Sequence, residues 1–260
     1  MRLADRLHEW LHPRMPDCVL CGQSIGRNAS GPLPVRDAFF RRILREGLCG
    51  SCLGWIPWIL TIACPICGRP DRCGDCLRRP NRPFVRSRGA VRYDDAMKEL
   101  LALYKYRGLE KLEPILAAML SAAVEPMLSE MRFDAVTAVP IAERRLEERG
   151  FDQAERIACA VAERYRIPFR PLLKRTRHTG KQSFKGRRDR IEDMKGTFAA
   201  IEPPPALGQA SRALPFPQSG PRILLIDDIY TTGSTMAECS AALRQAYPNG
   251  EIHGAVWARS

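Results

Sequence analysis

The chain has 260 residues, a formal net charge of +12 and 45% hydrophobic residues. That length accommodates one large domain and one small one around a real core. No stretch approaches the length of a membrane span, and Arg2, Asp5, Arg6, His8 and Glu9 interrupt any signal-peptide core, so a cytoplasmic protein is expected.

In chain order, Leu3, Leu7, Trp10 and Leu11 predict a short amphipathic helix packed on the protein. Four CxxC pairs follow: Cys18/Cys21, Cys49/Cys52, Cys64/Cys67 and Cys73/Cys76. Eight thiolates in under sixty residues predict two closed tetrahedral zinc sites, and Gly after Cys21, Cys67 and Cys73 lets each turn wrap a metal. Disulfides would need an oxidising compartment. The short gap from Cys67 to Cys73 favours sequential sites, Cys18, Cys21, Cys49 and Cys52 in one and Cys64, Cys67, Cys73 and Cys76 in the other. Cross-bracing of first with third and second with fourth pairs is the rival. The stretch 22–48, containing Gly, Pro and Arg, reads as a partly mobile insertion, and with so few apolar residues the module should depend on zinc to fold. Trp55, Ile56, Trp58, Ile59 and Leu60 could pack the two sites together or dock them on the larger domain. Cys159 and Cys239 sit in helical patterns and read as buried small apolar residues.

The charge is uneven. Residues 1–92 hold 16 Lys and Arg against 7 acids, 170–190 hold 9 against 1, and the run from Arg78 to Arg92 has no acid. Such concentration points either to polyanion partners or to a solvated basic surface.

Residues 80–90 read as a linker into a first strand. Leu100, Leu101, Leu103 and Tyr104 predict a helix closing at Gly108, whose Lys105 and Arg107 either cap it or touch a ligand. A second helix spans 114–131, and a strand spans 134–140. Arg144, Arg145 and Arg149 then lead through 150–153 into a helix ending near Tyr165. Residues 202–221 lack periodicity and read as a flexible insertion.

The run from Ile223 to Thr235 is the most informative. Ile223, Leu224, Leu225 and Ile226 predict a buried parallel strand, with Asp227 and Asp228 at its carboxyl end, where open α/β sheets bind ligands. Thr231, Thr232, Gly233, Ser234 and Thr235 form a hydroxyl-rich loop opening a helix over 236–246, and such a loop cradles a phosphate through hydroxyls, backbone N–H groups and the helix dipole. The paired acids suit a ribose diol and Mg²⁺. A closing strand spans 251–258.

This run resembles the phosphoribosyl-pyrophosphate (PRPP) signature of type I phosphoribosyltransferases. The resemblance implies that Asp227 and Asp228 hold the ribose hydroxyls and that Thr231 to Thr235 take the 5′-phosphate, with Mg²⁺ accompanying PRPP. Residues 139–153 resemble a second block, Pro-x-x-x-x-Arg-x-x-x-Arg-Gly-Phe-Asn-Gln of the ComF family of competence-associated proteins, with Asp152 in place of Asn. Residues 173–198 resemble that family's next block, and with the cysteine pairs the likeness runs through nearly the whole chain in order. It implies an α/β fold: a type I phosphoribosyltransferase-like parallel sheet flanked by helices over 81–260, with a small double zinc-ribbon module over 1–80. It places a pyrophosphate loop at 140–145 and a closing loop at 175–184.

The implied chemistry is displacement of pyrophosphate from C1 of PRPP by an unknown acceptor, through positioning and charge stabilisation. No residue is assignable as catalytic. Hypoxanthine-type relatives carry a third acid where this chain has Thr231, and little sequence remains for a nucleobase hood. Three readings stay open: a phosphoribosyltransferase associated with DNA uptake in transformation, a single-stranded DNA-binding protein acting with other DNA-uptake proteins, and a PRPP-sensing regulator.

Overall fold

Ile223, Leu224, Leu225 and Ile226 are all fully buried, as an apolar run does only where helices cover both faces of a parallel sheet. The computed structural model describes residues 17–26, 32–78, 82–106, 110–176, 196–201, 216–217 and 219–260. Its sheet has four parallel strands in the order β1-β6-β5-β2: β1 (Arg86–Arg92), β2 (Ala135–Ala138), β5 (Arg222–Tyr230) and β6 (Glu251–Arg259). Phe169 adds a parallel bridge to Val136 at one edge, and Trp58 an antiparallel bridge to Val91 at the other. A separate antiparallel pair joins β3 (Leu173–Arg175) to β4 (Phe198–Ala200).

Alternate residues of the strands feed two cores. Leu224, Ile226, Ala255 and Trp257 face a layer containing α4 (Asp95–Tyr106), α5 (Glu113–Glu130) and α7 (Gln153–Tyr165). Ile223, Leu225, Ile252 and Val256 face α8 (Ser234–Ala246). This is the helix-flanked parallel sheet that the resemblance implied. Among the described residues one helix, Glu110–Glu130, is long and apolar enough to cross a membrane, an exception to the expectation of no such stretch. Two thirds of its apolar window is buried in the protein, as befits the central helix of a core.

Several elements differ from the sequence-based expectation. β5 runs past Ile226 through both acids to Tyr230, because β6 continues to pair with it there. Part of the expected linker, from Arg86 onward, is β1. The arginines at 144, 145 and 149 lie on a short helix, α6 (Glu143–Arg149), closed by Gly150 at φ 78°. The stretch expected as a partly mobile insertion contains α1 (Ala38–Gly47). Asp37 caps it by accepting from the Phe40 N–H at 2.9 Å, and Phe40, Leu44 and Leu48 are buried against the α5 layer. The Glu125 carboxylate of α5 fixes its entry by accepting from the N–H groups of Arg36 and Asp37 and from the Tyr165 hydroxyl. Helices α2 (Gly50–Trp55) and α3 (Gly74–Leu77) complete the N-terminal region. The predicted helix at 3–11, the Gly108 cap, most of the 175–184 loop and most of the 202–221 insertion lie outside the described residues.

Candidate functional site

The cysteines form two groups, Cys18, Cys21, Cys49 and Cys52, and Cys64, Cys67, Cys73 and Cys76. This is the sequential pairing, not the cross-braced one. No cysteine is disulfide-bonded. Sulfurs within each group lie within 4.8 Å of one another, with Cys21–Cys49 and Cys67–Cys73 at 3.6 Å. A tetrahedral zinc with bonds of about 2.3 Å places its sulfurs about 3.8 Å apart, so both donor sets fit the metal. The turns behave as metal knuckles: Gly22 and Gly68 take φ 70°, and each N–H donates back to the first cysteine's carbonyl, Gly22 to Cys18 at 2.8 Å and Gly68 to Cys64 at 3.0 Å. Gly74 instead opens α3. Between the groups, Ile56 is buried and the Ile59 N–H donates to the Ala90 carbonyl of β1 at 2.9 Å, so this segment docks on the sheet, while Trp55 and Leu60 remain exposed. Cys239 is fully buried as expected, whereas Cys159 is only half-buried.

Asp227 and Asp228 lie within β5, a few residues before its end at Tyr230 and toward the carboxyl ends of the parallel strands. Asp227 Oδ1 accepts from the Asp228 N–H at 2.9 Å. Burial holds the Asp227 carboxyl well above the ordinary carboxylate range, and the adjacent Asp228 charge adds to the rise against the opposing pull of the Asp228 N–H and Lys105. Lys105, from the end of α4, forms an ion pair with Asp228. Beyond the two expected roles, helix cap or ligand contact, the structure gives this lysine a contact at the acid pair.

The loop after β5 is brought to the same end. Thr232 Oγ1 and Ser234 Oγ hydrogen-bond at 2.8 Å, and Gly233 takes φ 76° before Ser234 begins α8. Only glycine suits this position: a Cβ would come within 2.1 Å of the Tyr230 hydroxyl oxygen. The loop after β2 arrives alongside, where the Ile141 N–H donates to Asp152 Oδ2 at 2.9 Å. Asp152 Oδ1 caps α7 through the N–H groups of Ala154 and Glu155. Burial raises the Asp152 carboxyl, and these backbone donors only partly offset it. Lys105 also lines a cavity of about 120 Å³ with Tyr106, Glu148, Arg149 and Phe151, where Arg149 stacks over Tyr106 at 4.7 Å while donating to its hydroxyl at 2.9 Å. A larger groove of about 680 Å³, lined by Glu110, Glu113, Glu155 and Glu163 among others, has the wrong charge for a phosphate.

Reading the sequence gave no role to Tyr230 or Arg259. Arg259, at the end of β6 and 2% exposed, stacks over the Tyr230 ring at 4.2 Å and donates through Nη1 to the carbonyls of Tyr230 and Thr231 at 3.0 and 3.1 Å. Its Nη2 donates to Cys67 Sγ at 3.5 Å. An arginine on a terminal strand carries no sequence signal for this; only the register Tyr230–Arg259 creates it.

The arginine-rich run is engaged in contacts within the chain, with Arg78 and Arg92 still exposed. Arg78 donates to the Gly74 carbonyl, Arg82 to that of Asp75, and Arg88 to those of Pro65 and Ser87. Arg86 pairs with Glu130 and Arg92 with Asp71. These five staple the cysteine-rich segment and its flanks, which qualifies the polyanion reading of this stretch. Of the second basic stretch, Arg170, Lys174 and Arg175 are described, and Arg175 stacks over Phe198 at 5.4 Å.

No family model matches the chain. Among curated proteins it is similar to competence protein ComFC of Bacillus subtilis, 28% identical over 84% of this chain and 85% of that one. It is 29% identical to competence protein ComFC of Streptococcus pneumoniae, over 88% and 94%, and 26% identical to DNA utilization protein YhgH of Escherichia coli, over 81% and 88%. Among solved structures, glutamine PRPP amidotransferase from B. subtilis aligns with a TM-score of 0.31 and 21% identity, over 58% of this chain and 26% of that one.

Proposed function

The chain belongs to the ComF family, and from that membership we propose that it binds PRPP with Mg²⁺ at the carboxyl end of β5 and transfers the phosphoribosyl group, in the cytoplasm, to an acceptor connected with DNA uptake. The observation that carries this reading is the sequence of groups along one stretch of backbone. An acid pair lies near the carboxyl end of a central strand, a hydroxyl loop follows that strand after Tyr230, and a left-handed Gly233 opens α8. Asp227 and Asp228 accept the two ribose hydroxyls, which requires Asp228 to exchange its contact with Lys105. Thr231, Thr232, Gly233, Ser234 and Thr235 take the 5′-phosphate, with the first-turn N–H groups of α8 as further donors. When bound, Mg²⁺ supplies charge for the pyrophosphate. The loop from Pro140, anchored by Asp152, provides backbone donors beside it. The eight cysteines hold two structural zinc ions.

PRPP with Mg²⁺ should raise the melting temperature, and Asp227→Asn with Asp228→Asn should abolish the rise; an intact protein that does not respond overturns the reading. A second reading, single-stranded DNA binding or PRPP sensing without turnover, is favoured by Thr231 standing where an acid would serve as base, and by relatives named for DNA utilization. Pyrophosphate release across bases, amines and oligonucleotides separates the two: release with one acceptor selects transfer, and PRPP binding without release selects sensing.

A further inference from the structure

We propose that Arg259 is a positioning residue that ties the shape of the phosphate loop to the metal site of the second cysteine group, and not to that of the first. The inference rests on the PRPP reading for its ligand and on geometry for its coupling. One guanidinium spans the two features. Its Nη1 holds the carbonyls of Tyr230 and Thr231, the residues that lead from β5 into the loop, and its Nη2 reaches Cys67 Sγ. The Tyr230 ring beneath it carries the hydroxyl against which Gly233 packs. The same end is fastened twice more, by the Ser260 N–H donating to the Tyr230 carbonyl at 3.0 Å and by Arg69, between Cys67 and Cys73, donating to the Ser260 carbonyl at 3.4 Å.

A thiolate held by a metal is a fixed acceptor, and N–H donors to it both orient the ligand and strengthen the site. With the metal in place, Arg259 is pinned from the sulfur side and presents a fixed pair of donors to the loop carbonyls. Without it, Cys67 is free to turn and the guanidinium loses one of its anchors. Coupling of this kind is reciprocal: whatever holds the loop also holds the metal. The first group offers no such bridge among the described residues; Cys18 and Cys49 pack in the core around α5, across the sheet.

The test compares Arg259→Met and Arg259→Lys with the full-length zinc-loaded protein, using zinc release to a chromogenic chelator and amide exchange over 230–236. Cys21→Ser and Cys76→Ser assign the two release phases. Arg259→Met should release zinc from the second group about tenfold faster, leave the first-group phase unchanged, and lose amide protection at Tyr230–Gly233. Arg259→Lys, which keeps the charge but not the fork, should fall between. Cys76→Ser, which leaves Arg259 and Cys67 in place, should reproduce the exchange pattern. With PRPP and Mg²⁺ present, second-group release should slow selectively in the wild type and not in Arg259→Met. Wild-type release phases and loop exchange in both Arg259 variants overturn the coupling. If Arg259→Met does not fold, Arg259→Lys and Cys76→Ser decide. If wild type ignores PRPP while the ligand-free differences appear, the PRPP reading fails and the coupling stands.

Discussion

The two cysteine groups have the same donors and the same sulfur spacing, yet they sit in different parts of the molecule. The first lies on the α5 face, beside α1, where the Val19 N–H donates to the Gly47 carbonyl and Cys18 and Cys49 join the large apolar core. The second lies on the α8 face among Tyr230, Met236 and Val256, with its Gly68 knuckle so close to β1 that a Cβ would come within 2.6 Å of the Ser87 carbonyl. Identical donor sets therefore sit in two mechanical settings. One group closes a hydrophobic core that has other supports, while the other frames the loop that opens α8.

The largest expected effect tests the first half of that contrast. Phe40 is 2% exposed on α1 and meets Tyr165 edge-on at 5.9 Å. Phe40→Ala should cost about 3–5 kcal/mol by denaturant unfolding, because a buried aromatic leaves a cavity. The melting-temperature rise with PRPP and Mg²⁺ should survive. A cost below about 1 kcal/mol would mean that the metal alone organises this region, and loss of the PRPP response would break the division of labour between the groups.

A smaller effect tests the second half. Gly233→Ala must accommodate φ 76° and a methyl against the Tyr230 hydroxyl. Left-handed strain of this kind costs about 2 kcal/mol, and the displaced Tyr230 ring should take the PRPP response with it. A variant that unfolds like wild type and still responds to PRPP would show that Gly233 does not set the loop.

Much of this was legible in the sequence, for physical reasons that can be assigned. The β5 run has an apolar stretch too continuous for a half-exposed strand, and the short gap from Cys67 to Cys73 favours the sequential grouping over the cross-braced one. What stayed hidden depends on partners distant in sequence. α1 was obscured because its arginines mask a stripe of Phe40, Leu44 and Leu48 that acquires meaning only against α5. The paired arginines could not be told from an unpaired basic surface, since Glu130 and Asp71 are separated from them by many residues. Lys105 read equally well as a helix cap, and only the topology that brings the end of α4 beside β5 places it on Asp228. Asp152, a departure from the family's Asn, keeps the acceptor that both its backbone contacts use.

The smallest expected effect carries the sharpest sign. Asp227 is an acid whose folded-state pKa lies above its unfolded value, through burial first and the Asp228 charge second. Below the ordinary carboxylate range both states hold the proton, and the group costs nothing. As pH rises through that range the unfolded chain releases the proton first, so folding loses stability until the folded-state carboxyl also ionises. Asp227→Asn removes this penalty and retains an acceptor for the Asp228 N–H. Without ligand, the variant should therefore melt above wild type at pH 8, by about 2 °C for a chain of this size, and the gap should close near pH 3. The same substitution should weaken the response to PRPP and Mg²⁺, because a neutral amide no longer offers a carboxylate to the diol or its cation. A variant that melts below wild type at pH 8 would show that the acid pair stabilises the fold, and the proposed ligand role would then not be needed to account for the pair.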